Sequence, residues 1–314
     1  MRYYFAPMEG LTDSIYRRLH HAYFPGVTRY YTPFFSPTVH RSLTPKERRE
    51  LPPADSLGFC TVPQILTKNP GDFLWMAQQC QELGYPEVNL NLGCPSGTVT
   101  AKGKGAGMLT DPEGLDRFLS EVFAHTPVSV SVKTRLGFHS AEEFSKILEV
   151  LNHYPILELT VHPRVRNAFY KGDVDMDAFT YAVAHSEAPV CFNGNLYTLE
   201  QATSIGQTFP TVQAVMLGRA LIADPGMLTP GGTTVDALAR FYDTLLEEYT
   251  LAFGGPRNAM FRLKENWRYL ICNFEDSEKL YKRLRKTTDL SEYKAITGEI
   301  FQTLPLRKSL APDW

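Results

Sequence analysis

Along residues 3–220 short apolar or β-branched runs alternate with stretches of helical period. The runs that predict strands are YYFAPM (3–8), VTRYYTPF (27–34), FCTVPQIL (59–66), EVNLNLG (87–93), VSVSVKT (128–134), LELTVH (157–162), PVCFNG (189–194) and VQAVMLG (212–218). Helix-start signals fall between them: Thr12–Asp13, Asn69 before Pro70, Asp111 before Pro112, and Ser140 with Glu143 three residues on. Each places a side-chain acceptor ahead of the first turn, and the last three add a proline or a capping box. Eight strands alternating with helices predict parallel βαβ units and an α/β fold, the closed (β/α)8 TIM barrel. The stretch TPKERRELPP (44–53) reads as a long surface loop, and no longer motif repeats in the manner of a solenoid.

Beyond Gly231–Gly232 the strand signals stop. DALARFYDTLLEEYTLAF (236–253) has helical spacing, Gly254–Gly255–Pro256 ends it, and further helices are expected near 258–273, 277–286 and 290–301. The expected organisation is a catalytic barrel over 1–232 and an all-helical C-terminal domain over 233–314.

Composition narrows the class. With 43% hydrophobic and 21% charged residues the chain is globular rather than disordered. No run approaches the roughly 18 apolar residues of a membrane span, and MRYYFAPMEG lacks the layout of a signal peptide, so a cytoplasmic protein away from membranes is expected. Cys60, Cys80, Cys94, Cys191 and Cys272 form no CxxC pair, which argues against a disulfide framework or a structural metal. The net charge of −2 hides an asymmetry: residues 257–308 carry 12 Lys and Arg against 7 Asp and Glu, while residues 1–256 carry 20 against 26. Such a basic segment suits a polyanion, and it is also what a solvated helix face looks like.

In a barrel the chemistry sits where the strands end. Those ends carry Pro7–Met8–Glu9, Gln64, Asn91–Gly93–Cys94, Lys133–Arg135, His162–Arg164, Asn193–Gly194–Asn195 and Gly218–Arg219. Any one of them could be a loop or cap residue; together on one rim they are hard to explain as structure. Asn193, Gly194, Asn195, Gly218 and Arg219, after strands seven and eight, suit a phosphate. Lys133 and His162 would reach the middle of the ligand, and Gln64 and Asn91 offer paired amides to a planar heterocycle. A long ligand with a phosphate end and a polar ring fits flavin mononucleotide better than a sugar phosphate. Cys94 lies between Gly93 and Pro95 in a tight turn at the mouth. A thiol with an ordinary pKa of about 8.5 is mostly protonated at neutral pH and can serve as a general acid. The following SGTVTAKGKGAGMLTDP (96–112) lacks the P-loop spacing and reads as a mobile basic loop carrying Lys102 and Lys104, or a plain flexible one.

APMEGLTD (6–13), NLGCPS (91–96), VSVKTRLG (130–137), TVHPR (160–164), NGN (193–195) and VMLGRA (215–220) resemble, in order and spacing, the tRNA-dihydrouridine synthase family. The resemblance covers about residues 3–224 by motif. It differs at Pro163 and Ala220, where Gly is frequent in the family. It implies a barrel with tightly bound FMN that reduces the 5,6 double bond of a D-loop uridine in tRNA, with NADPH reloading the flavin. By resemblance Cys94 protonates C5 after hydride reaches C6. Pro7 and Met8 line the flavin ring, and Gln64 and Asn91 sit at its polar edge. Lys133 and His162 lie near its anionic side, and Asn193, Gly194, Asn195, Gly218 and Arg219 hold the phosphate. The basic segment then reads as the tRNA grip: Arg257, Lys264 and Arg268 around Trp267, with Lys279, Lys282, Arg283 and Lys286 as a second cluster. Trp267 itself reads as core rather than as a stacking platform, and a single chain is expected to act as a monomer. Two other readings stay open: a flavin barrel for a small unsaturated molecule, and a flavin-free RNA-binding module.

Overall fold

The computed structural model describes every residue except 39, 311, 313 and 314. Its sheet is one parallel ring: β1 Arg2–Phe5, β2 Arg29–Tyr31, β3 Thr61–Val62, β4 Gln64–Ile65, β5 Glu87–Leu92, β6 Ser129–Gly137, β7 Leu159–Val165, β8 Val190–Asn193 and β9 Ala214–Leu217. Their order is β3-β2-β1-β9-β8-β7-β6-β5-β4. β3 and β4 flank Pro63, which cannot donate to a ladder, so they are one stave interrupted by a single residue. The barrel therefore has the eight staves that the pattern predicts.

The chain separates into two compact units. The first, residues 1–7, 28–195 and 203–216, carries the ring. Along its strands alternation decides everything, because successive side chains face opposite ways. In β5, Val88, Leu90 and Leu92 are buried apolar residues, while the intervening Glu87, Asn89 and Asn91 face the lumen. The register sets Asn89 beside Ser131 and Asn91 beside Lys133, and Thr160 beside Lys133 on the other side. The lumen is thus lined with polar groups, where a barrel of this kind is more often filled by Val, Ile and Leu. The helix signals hold: Asn69 caps Pro70–Glu82, Asp111 caps Pro112–His125, and the Ser140–Glu143 capping box forms ahead of Phe144–Asn152.

Two expectations need correction. The stretch 44–53 is not a plain loop: Thr44 and Glu47 form a capping box that starts a helix over Pro45–Glu50. The segment after Cys94 is not free either. It folds into a short helix, Gly97–Thr100, and a 3-10 turn, Gly105–Thr110, whose residues Gly105 to Leu109 are buried. A Cβ on Gly105 would come within 3.0 Å of the Cys94 Cβ at a φ of +57°, so only glycine lets this turn close on the cysteine.

The second unit, residues 8–27, 196–202 and 217–314, is helical. Asp13 starts its helix Ser14–Tyr23 by accepting from Tyr16 N, and also accepts from Tyr249 Oη at 3.0 Å and Arg262 Nη2 at 2.7 Å. The helices Val235–Ala252, Pro256–Leu270, Glu278–Lys286 and Leu290–Thr303 lie where the spacing places them. Trp267 is fully buried and donates to Tyr293 Oη at 3.0 Å, so it is core. No helix among the described residues is long and apolar enough to cross a membrane.

Candidate active site

The ends of β4 to β8 converge on a chain of side chains inside the first unit. Asn91 Nδ2 donates to Gln64 Oε1 at 2.7 Å, Gln64 Nε2 to Asn89 Oδ1 at 2.8 Å, and Asn89 Nδ2 to Ser131 Oγ at 2.9 Å. Each amide is oriented by the next, and Gln64 and Asn91 each keep a second N–H for another acceptor. Asn91 Oδ1 in turn accepts from Gly93 N at 3.0 Å and Cys94 N at 2.9 Å. One buried strand residue thereby fixes the turn that carries the half-buried Cys94.

On the other side of β5 the lumen is cationic. Lys133 Nζ donates to Asn193 Oδ1 at 2.7 Å, and Asn193 Nδ2 to Met216 O at 2.7 Å. Burial, with Arg135 nearby, pushes the Lys133 ammonium down to about 7. Arg135 donates to Gly93 O at 2.8 Å and Val165 O at 3.1 Å, with its guanidinium 5.3 Å from the Tyr170 ring. Burial lowers it to about 10. His162 Nε2 lies 2.9 Å from Arg164 Nη1. A guanidinium only donates, so Nε2 accepts and the imidazole keeps its proton on Nδ1. Among the described residues no carboxylate pairs with Lys133 or Arg135. Buried cations held only by neutral groups form a cradle for an anion, because an uncompensated buried charge is costly. The residues present therefore fit a flavin phosphate or an anionic ring.

The remaining expected residues are distributed as follows. Pro7 lies two residues beyond the end of β1, and Asn195 Nδ2 donates to Gly172 O at 3.4 Å. Gly194 leaves no room for a side chain, since a Cβ there would meet the Phe192 ring at 2.6 Å. Lys102 is exposed and Lys104 donates to Ser36 Oγ at 2.9 Å. Met8, Gly218 and Arg219 belong to the second unit. There Met8 O accepts from Leu11 N and Thr12 N, Gly218 precedes the helix Arg219–Ala223, and Arg219 Nη2 lies 3.5 Å from Tyr197 Oη. In the same unit Arg257, Arg268, Lys282 and Lys286 are exposed. Lys264 is committed differently: its Nζ donates to Thr287 O at 2.7 Å, and burial lowers its pKa.

Asn89, Arg135 and Tyr170 complete the constellation; Arg135 stands among the strand-end residues with no role given to it, and Asn89 and Tyr170 were not singled out from sequence. Asn89 was detectable as a polar residue in phase with Asn91. Arg135 sits in phase with Lys133 because β6 runs on to Gly137. β7 also runs on, with one more residue than β6 between the pairs Arg135–His162 and Gly137–Val165. This bulge coincides with Pro163, whose ring cannot donate to the ladder, and it re-aims the rim beside His162. Tyr170 gives no local signal.

The fold is that of solved (β/α)8 barrels. A solved structure of morphinone reductase in complex with tetrahydroNAD superposes with a TM-score of 0.53 over 74% of this chain and 87% of its own, at 11% identity. The family is narrower. The family model Dihydrouridine synthase (Dus) matches residues 4–293, and the chain belongs to that family. A tRNA-dihydrouridine(16) synthase of Shigella flexneri is 28% identical over 306 residues, 91% of this chain and 94% of the relative. A tRNA-dihydrouridine synthase B of Pasteurella multocida is 28% identical over 228 residues, 71% of this chain and 67% of the relative.

Proposed function

We propose that this enzyme reduces the 5,6 double bond of a uridine in the tRNA D-loop to dihydrouridine, with FMN as resident cofactor and NADPH as reductant. The observation that carries the reading is the uncompensated Lys133 ammonium in a polar lumen, beside an oriented cysteine turn. Bound FMN would supply the hydride that reduces C6. Lys133 and His162 would face its anionic side, where a fixed positive charge stabilises developing negative charge. Gln64 and Asn91 would give their spare N–H groups to the ring's polar edge, and Asn193, Gly194 and Asn195 would contribute to the phosphate site. Cys94 Sγ–H would give its proton to C5 of the uracil. Lys102 and Lys104 on the rim, and Arg257, Arg268, Lys282 and Lys286 in the helical unit, would hold the RNA backbone, with one chain sufficient for one tRNA. Relatives that align along nearly their full length are tRNA-dihydrouridine(16) synthases, which favours position 16 as the target.

The deciding experiment is an anaerobic single turnover. The flavin of the purified protein is reduced with NADPH and its reoxidation followed on adding unmodified tRNA, free uridine or a simple enone. Fast reoxidation by tRNA alone, with dihydrouridine mapped to position 16 in the product, is expected. Reoxidation by the enone and not by tRNA overturns the substrate. Cys94→Ala should retain flavin and slow tRNA turnover roughly 100- to 10,000-fold; unchanged turnover removes Cys94 from the chemistry.

A further inference from the structure

Beyond β7 the chain makes a 3-10 turn, Arg166–Ala168, and reaches Phe169 at φ 50°, ψ −104°. A bulky residue at positive φ is an outlier, and such strain persists where the surroundings impose it, often at functional sites. Burial of the two rings is not what imposes it: Phe169 is 41% exposed and its neighbour Tyr170 54% exposed. The two rings sit on different cations. Tyr170 takes Arg135, whereas Phe169 lies 5.0 Å from the Arg166 guanidinium, which is also 5.0 Å from the Phe138 ring. Arg166 is held in place by Thr100 Oγ1 at 3.2 Å and Asn167 Oδ1 at 3.2 Å. The far end of the loop is pinned by Arg164, which donates to Lys171 O at 3.3 Å and to Gly172 O. The result is a column of ring and guanidinium on the rim of the mouth, with an exposed aromatic face and a cation behind it.

Resting on the reading as a tRNA-modifying enzyme, we propose that Phe169, backed by Arg166, is the stacking platform for the nucleobase adjoining the extruded uridine. Once a base leaves the helix its neighbour loses a stacking partner, and an aromatic face replaces that contact for any base. A cation on the ring strengthens the column. A platform already tied by hydrogen bonds at both ends of its loop needs less ordering on binding. RNA is favoured over a protein partner because Arg166, the cation behind this ring, has no carboxylate partner among the described residues.

The test uses the flavin-loaded enzyme, unmodified tRNA transcript, and the variants Phe169→Ala, Phe169→Leu and Phe169→Trp. Ala and Leu should raise KM for tRNA roughly 5- to 150-fold, the range for losing one stacked base, with the flavin spectrum and reduction by NADPH unchanged, and Trp should restore it. A 2-aminopurine placed next to the target uridine should be quenched on binding the wild type and not the Leu variant. Leu matching the wild type in KM or in quenching overturns the proposal, and this comparison decides even where Ala fails to fold. A Leu variant that loses self-association while its KM for tRNA is unchanged also overturns it, in favour of a protein contact. A wild type that binds and reduces no tRNA defeats the underlying reading instead, which the single-turnover assay detects first.

Discussion

Where the barrel strands begin, Glu87 accepts from Arg29 at 2.8 Å and Glu158 from Tyr4 at 3.0 Å, with Arg2 at 3.5 Å. Where the same strands end, Lys133 and Arg135 are met by an amide oxygen, backbone carbonyls and Tyr170, and by no carboxylate among the described residues. Both ends bury charge, so both carry the cost of taking ions from water. The lower end offsets it internally with opposite charges. The upper end leaves it open, and burial accordingly drives Lys133 down to about 7. The first arrangement suits a sealed floor and the second a binding site, and the two share one lumen.

The largest test of this contrast removes one charge at each end. Glu87→Ala should strand Arg29 and lower stability by about 3 kcal/mol in urea denaturation, the cost of breaking a largely buried pair. Lys133→Met should leave the flavin-free protein as stable as the wild type or more so, while FMN affinity falls roughly 10- to 100-fold. Equal losses of stability from both variants would erase the distinction.

A smaller effect follows from protons. An anion on Lys133 holds it in the charged form, which above about pH 7 requires uptake of a proton on binding. FMN affinity should therefore fall as pH rises past 7, by up to about tenfold per unit until the bound-state pKa is reached. Titration calorimetry in buffers of different ionisation heat counts the protons, and a pH-independent affinity would place the anion elsewhere.

The smallest effect is at the floor. Burial raises the Glu158 carboxyl, and Tyr4, Arg29 and Arg2 only partly oppose it. A carboxyl with a raised folded pKa keeps its proton after the unfolded chain has lost it, so its contribution falls as pH climbs from the unfolded to the folded value. Glu158→Gln should flatten that part of the stability profile, just above about pH 4. An unchanged slope would assign it to other groups.

How far the site was legible from sequence varies residue by residue. Cys94, Lys133, Gln64, Asn91 and His162 could be picked out because parallel strands bring all their ends to one rim, and polar residues there stand against an apolar run. Lys264 shows the limit. Its i,i+4 spacing with Arg268 gives it the look of an RNA contact, and spacing alone does not reveal that its ammonium also closes the end of the helix Glu278–Lys286 through Thr287 O. Phe169 and Tyr170 were invisible, since a loop aromatic has no periodicity to betray what it covers.

The sequence by itself determined the strand and helix alternation, the caps at Asp13, Asn69, Asp111 and Ser140, and the polar phase of the lumen-facing strands. These depend on local spacing and on neighbours a few residues away. The tertiary structure alone decided which polar groups satisfy one another: Asn91 serving Gln64 and Cys94, Asn193 serving Lys133, and Arg166 tying Thr100 to the Phe138 and Phe169 rings. Such partners lie tens of residues apart, and hydrogen bonds and buried charge are resolved only once the ring has closed.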